Sequence, residues 1–522
     1  VLDALETLDP IYAARHDGDN TIHSCIDRTR VQVIRELKKW TKDSSDPVFW
    51  LSGRAGVGKT AVAKTFCRWL VKKKTMGGSF FVNRDDSRRM ASSMVRTIAY
   101  DLAKNQPKIG QLISGAIVQC PDIISRSIPE QLQTLLMDPL RSVSKESLPV
   151  VLVIDGLNDC HRYDGYPAIK LVSTLIMIIR QQSLPVKLFV SSSDENGVHD
   201  LFVECSVSRH DLGQYEVQAD IRLYYHQALA SISTKRKLDR WPLYDDIGSL
   251  VDMTSHLFIF ASTVIDYVDN ERYSPVKRLR SLLDCPPRDA LDPLDRLYRI
   301  ILEDAIQDSR RGRKDNHLCQ RIRKLLSAIV FVQAPLRVGD LTRLLHMDEV
   351  ELRSDLRALS SVVVLPDDGI HLVRIFHSSF ADFLCDEHRC LDGDLRLDSQ
   401  TEHAVMTRIC IDLVSEFISN VCHLEHPGTT NSEVPLLDQL ITQHLPRHVQ
   451  YACRYWMVHA EKAYPLKQSL VERIQDVIST HIAPWIERCS LLQCLIDVNT
   501  DLKSLSECLK VRKNSYGSLR LF

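Results

Sequence analysis

Up to about Tyr215 the chain repeats one motif: a short apolar run, a polar break, then apolar residues at helical spacing. From Thr29 to Trp40, the positions Val31, Val33, Ile34, Leu37 and Trp40 follow a helical period. Ser44 to Pro47 reads as a turn, and Val48 to Leu51 as a short strand buried on both faces. A glycine-rich stretch comes next, then a helix after Thr60 that turns Val62, Ala63, Phe66, Cys67 and Leu70 inward. The pattern predicts further strands at Ser79 to Val82, Val150 to Ile154 and Pro185 to Ser191. Helices are predicted through about residue 115, from Pro129 to Val143 and from Ala168 to Gln181. Strand and helix in alternation predict an α/β fold, a doubly wound parallel sheet.

From about Val217 onward strands become rare. The exception lies between residues 320 and 390, where helices at Cys319 to Phe331, Val338 to Leu345 and Val350 to Leu359 precede Val362 to Leu365. Asp367-Asp368-Gly369 then turns the chain into Ile370 to Phe376. Three helices followed by a hairpin with an Asp-Gly turn predict a winged helix. The chain after residue 402 reads as all-helical, with no internal repeat of 20 to 50 residues.

Composition narrows the function classes. A chain of 522 residues suits about three or four domains. With 44% apolar and 25% charged residues it has the balance of a soluble globular protein. A net charge of -1 removes the general basic excess that would point to nucleic acid. Fifteen scattered cysteines without a Cys-x-x-Cys pair read as buried thiols of a reducing compartment, which places the expectation in the cytoplasm. Cys385, His388 and Cys390 fall one ligand short of a zinc site. The most apolar run, Leu171 to Ile179, is half the length of a membrane span.

The chemistry concentrates in Gly53-Arg54-Ala55-Gly56-Val57-Gly58-Lys59-Thr60. A strand before it and a helix after it are the context that a phosphate-binding P-loop requires. Gly53, Gly56 and Gly58 let successive backbone N–H groups, that of Val57 included, turn inward around phosphate oxygens. Lys59 is then expected to bridge the β- and γ-phosphates, and Thr60 to offer its hydroxyl to Mg²⁺. Asp155, closing the β-branched run Val150 to Ile154, is expected to hold the same ion; a capping aspartate is the plainer alternative. Asp159, four residues on, stands where it could polarise an attacking water, or serve as an ordinary loop acid. The expected ligand is ATP or ADP with Mg²⁺, GTP not being excluded.

Several segments together resemble the NACHT group of STAND signalling NTPases, especially the fungal branch with a nephrocystin-like P-loop domain. They are Cys25 to Arg30, Phe49 to Gly53, Gly78 to Arg84, Val151 to Leu157, Asp220 to Tyr224, Leu257 to Thr263, Leu294 to Tyr298, Phe376 to Leu384 and Tyr451 to Trp456. The resemblance implies a switch for signal transduction, of the kind used in innate immunity. In such proteins ADP holds the nucleotide domain and winged helix closed, and ATP opens them to oligomerise. His377 falls where the family's winged-helix histidine reaches the β-phosphate of ADP. Physics alone would make it a hydrogen-bonded core histidine. Related chains often carry effector domains and WD, ankyrin or TPR repeats, and neither is visible between residues 1 and 522. The expected organisation is an N-terminal segment (1–24), a P-loop NTPase domain (25–215), a helical domain (216–318), a winged helix (319–395) and a C-terminal helical domain (396–522).

The chain departs from the family where hydrolysis would be carried out. Asn158-Asp159 replaces the usual Asp-Glu, and Ser193 stands where an arginine would sense the γ-phosphate. An amide takes no proton, and a missing cation removes stabilisation of the transferring phosphoryl group. The expectation is nucleotide binding with hydrolysis slow or lost, self-association and protein partners. The competing readings are an actively hydrolysing P-loop motor and an interaction scaffold with a relic site.

Overall fold

A computed structural model of the chain describes residues 2–18, 24–43, 46–82, 90–141, 149–162, 167–182, 184–193, 196–284, 292–307, 314–366, 372–416, 419–424, 426 and 429–511. The chain divides into two compact units, Val1–Arg288 and Asp289–Phe522.

The first unit is built on five strands, β1 (Val48–Ser52), β2 (Met76–Phe81), β3 (Val150–Asp155), β4 (Val186–Ser192) and β5 (Arg209–Asp211). All pair in parallel, in the order β2-β3-β4-β1-β5. Successive side chains of a strand point to opposite faces, and both faces here are covered. Val48, Trp50, Leu152, Ile154, Leu188 and Val190 enter one core, while Phe49, Leu51, Val151, Val153 and Phe189 enter the other. This explains why the strands read as unbroken apolar runs. The second face packs on α1 (Val31–Asp43) and α2 (Lys59–Lys73), and the first on α3 (Met90–Asn105) and α4 (Pro167–Gln182). The doubly wound α/β expectation holds.

Two strands differ from their sequence reading. β2 starts at Met76 rather than Ser79, because Gly77 and Gly78 carry no apolar signal. A Cβ on Gly78 would lie 2.5 Å from the Ile98 carbonyl of α3, so this strand needs a residue without a side chain to let the helix approach. β5, absent from the sequence reading, has the polar composition Arg-His-Asp; the His210 ring stacks on Phe49 at 3.9 Å. The N-terminal residues Leu5, Leu8 and Ala14 belong to the first core, and the buried Arg15 pairs with the buried Asp101. After the sheet come helices, among them α5 (Gln218–Arg236) and α6 (Phe258–Val268).

The second unit contains α7 (Pro293–Ala305), α8 (Asn316–Phe331), α9 (Val338–Leu345) and α10 (Glu349–Ala358). There follow the antiparallel pair β6 (Val363–Val364) and β7 (Arg374–Ile375), with Leu336 bridged to Val373. Three helices and a short ribbon are in the order of a winged helix. Its expected turn, Asp367-Asp368-Gly369, lies outside the described residues. α11 (Ser378–Cys385), α12 (Ser399–Ser415) and α13 (Arg447–Lys462) follow, with α12 packed along α13. Among the described residues no helix is long and apolar enough to cross a membrane, and no group of three metal-ligating side chains occurs.

Candidate functional site

The site lies where β1, β3 and β4 end. Backbone geometry in the loop after β1 demands glycine: φ is 81° at Gly56 and 97° at Gly58, the left-handed residue from which α2 departs. Val57 N–H reaches the Arg54 carbonyl at 3.5 Å, and Gly58 O accepts from Val62 N–H to open the helix. Lys59 curls back over the loop, its ammonium donating to the carbonyls of Gly53 at 2.7 Å and Arg54 at 2.9 Å. This end of α2 presents N–H groups and the positive end of the helix dipole, the arrangement that binds an anion.

Asp155 is 3% exposed and hydrogen-bonds with the hydroxyls of Ser191 and Thr60. Burial pushes its carboxyl above the ordinary range; those two hydrogen bonds, then the charges of Lys59 and Lys64, pull it back. The structure thus brings Thr60 and Asp155, 95 positions apart in sequence, into contact (155 − 60). A hydroxyl and a carboxylate are hard oxygen donors of the sort Mg²⁺ takes.

The loop after β3 is tied to β4. Gly156 N–H donates to Ser191 O at 3.1 Å, and Asn158 Oδ1 accepts from Ser193 N–H at 2.9 Å. Asp159 follows on the short helix Leu157–Arg162, its own N–H bonded to Gly156 O and its Oδ1 accepting from Asn158 Nδ2 at 3.3 Å. Asp194 and Glu195, next to Ser193, and Asn83-Arg84 of the resembling segments lie outside the described residues.

Sequence reasoning missed the groups that hold the loop from outside. Arg30 Nη2 donates to Val57 O at 2.7 Å, and Ile259 N–H donates to Gly56 O at 3.0 Å. Phe258, which opens α6, lies under the Arg30 guanidinium, and its Cβ would be 3.9 Å from a Cβ on Gly58. No periodicity signals such contacts: Arg30 and Val57 belong to different elements, and Phe258 and Ile259 lie about two hundred positions from the loop they touch.

His377 belongs to the second unit. Its Nδ1 caps α11 by accepting from Ser379 N–H at 3.1 Å, and Ser379 Oγ lies 2.7 Å from the Tyr298 hydroxyl. With Nδ1 accepting, the neutral ring carries its proton on Nε2.

Residues 32–193 match the family described as Nephrocystin 3, N-terminal. Among solved structures, a Walker-type ATPase of Pyrococcus abyssi aligns with 70% of this chain and 98% of its own, at 13% identity and a TM-score of 0.35. No curated protein matches the chain. Sheet order, loop geometry and family match together make the first unit a P-loop NTPase-type nucleotide-binding domain.

Proposed function

We propose that the protein is a nucleotide-binding switch of the NACHT/STAND type, from the fungal branch, that responds by opening and self-associating. ATP or ADP would sit on the amides of Gly53 to Gly58, with Lys59 at the phosphates. Thr60 and Asp155 would hold Mg²⁺, which when bound neutralises phosphate charge. The division into P-loop domain (25–215), helical domain (216–318), winged helix (319–395) and C-terminal helices (396–522) is part of this proposal, as is the contact of His377 with a nucleotide phosphate.

The observation that favours holding over hydrolysing is the bond between Asn158 and Ser193. Asn158 spends its carbonyl oxygen on a backbone N–H of β4's end, so it acts as a tie rather than a base. Asp159 is the remaining acid among the described residues of this loop, and its half-buried carboxylate is engaged by the Asn158 amide. Hydrolysis through it would be slow.

Denaturing the purified chain and identifying the released nucleotide tests the reading, beside Lys59→Ala. We expect bound ADP in stoichiometric amount, lost in the variant, and no sustained turnover of added ATP. Multiple turnover that disappears in Lys59→Ala would refute slow hydrolysis. A chain that ignores both nucleotides would refute the switch.

A further inference from the structure

Arg30 stands where the backbone disfavours it. Its φ is 53°, a left-handed conformation that is strained for a residue with a Cβ and that glycine adopts freely. Its carbonyl accepts from Ile34 N–H to start α1, so the strain sits at a helix start where glycine or asparagine would serve. The residue is 5% exposed, and its Nε and Nη1 have no hydrogen-bond partner among the described residues. A buried cation on a strained backbone persists when its surroundings need the side chain.

What the side chain does is specific. A trans peptide plane directs its C=O and the following N–H to opposite sides. Arg30 Nη2 holds the Val57 carbonyl at 2.7 Å, which aims the Gly58 N–H the other way. Ile259 N–H holds the Gly56 carbonyl at 3.0 Å, which does the same for the Val57 N–H. Two consecutive planes of the phosphate loop are therefore set by anchors behind it. The Arg30 guanidinium is itself fixed, 5.0 Å from the Phe258 ring centre, and its backbone N–H donates to Asp220 of α5 at 2.8 Å.

We propose that Arg30 is a positioning residue of the nucleotide site: by pinning the Val57 carbonyl it turns the Gly58 amide toward the phosphates before nucleotide arrives. The inference rests on the nucleotide-binding reading of the loop. It also makes α5 and α6, through Asp220, Phe258 and Ile259, part of the apparatus that shapes the loop.

The test is titration of Mg–ADP into the full chain by calorimetry, with thermal unfolding measured in parallel, for wild type, Lys59→Ala, Arg30→Gly, Arg30→Ala and Arg30→Lys. Arg30→Gly is the most informative variant, because glycine relieves the backbone while deleting the guanidinium. Losing one charge-assisted hydrogen bond should weaken its binding about ten-fold with unfolding little changed. Arg30→Lys, which keeps a donor and a charge, should recover part of the affinity. Binding by Arg30→Gly within about two-fold of wild type would overturn the inference. So would affinity that merely tracks unfolding temperature across the three variants. Failure of wild type to bind at all would instead count against the nucleotide reading. In that case amide exchange decides the anchor by itself: Gly58 exchanging faster in Arg30→Gly supports it, and unchanged exchange overturns it.

Discussion

In the sheet unit one group of polar side chains gathers at an edge of the core, where Lys59, Thr60, Asp155, Ser191 and Asn158 crowd around the strand ends. In the helical unit they run through the interior as a chain. Lys462 donates to the Gln333 side chain at 2.7 Å, and Gln333 N–H donates to the Tyr451 oxygen at 2.9 Å. Tyr451 lies 2.7 Å from His459 Nε2, and His459 Nδ1 lies 2.8 Å from His403 Nδ1. With neutral rings every link is satisfied in one direction: tyrosine donates to His459, which donates to His403. The difference is one of purpose. Lys59, Thr60 and Asp155 meet at the strand ends with donors and acceptors suited to an anion and a cation, whereas the interior chain consumes its donors in joining α12, α13 and the segment after α8. Similar polarity therefore marks a binding site in one unit and structural specificity in the other.

The largest effect that would separate them is acid sensitivity. Burial, and then the charge of Lys462, draws the His403 pKa down to about 3. An unfolded imidazole titrates near 6.5, so below that pH the unfolded chain takes up a proton that the folded unit refuses. Stability should fall from about pH 6.5 toward about 3, by ~1.4 kcal/mol per pH unit. Hydrogen exchange in Arg447–Lys462 would report it, and His403→Gln should flatten the slope. An unflattened slope would mean that the chain is not what the acid attacks.

Smaller, and independent of pH, is the loss expected from Tyr451→Phe. It strands Gln333 N–H and His459 Nε2 inside the helical unit, which should cost about 2 kcal/mol by the same exchange measurement. Exchange in β3 should stay where it was. Smallest is Ser191→Ala in the sheet unit, which removes one hydroxyl from Asp155. The Mg²⁺ concentration needed for nucleotide binding should rise about three-fold, with unfolding barely moved. A change in stability without a change in Mg²⁺ requirement would place Asp155 with the structural groups instead.

Legibility in the sequence followed the range of the interactions. Gly53 to Thr60 could be read because strand, loop and helix are contiguous, and the geometry of the loop is set by local backbone demands. β3 was legible because burial on both faces leaves an unbroken apolar run that ends in Asp155. β5 was not, since an edge strand of three polar residues carries neither alternation nor an apolar run. Ser191 was visible only as the end of a strand, and nothing in its neighbours says that its hydroxyl turns to Asp155. Arg30 is the extreme case, because its meaning depends on a φ and on partners at positions 57, 220 and 258. Asn158 shows in the sequence as a missing acid, and the structure adds what the amide does in its place.

The placement of Leu5, Leu8 and Ala14 in the core has a practical consequence for anyone cutting the gene. The segment recognisable by family, 32–193, ends before β5 and begins after Arg30. A fragment expressed between those limits would lose an edge of the sheet, three plugs from its hydrophobic interior and the side chain behind the phosphate loop. It would be expected to aggregate, and its failure to bind nucleotide would say nothing about the intact chain. The limits of recognisable ancestry and the limits of a folding unit are different lines, and expression boundaries belong on the second.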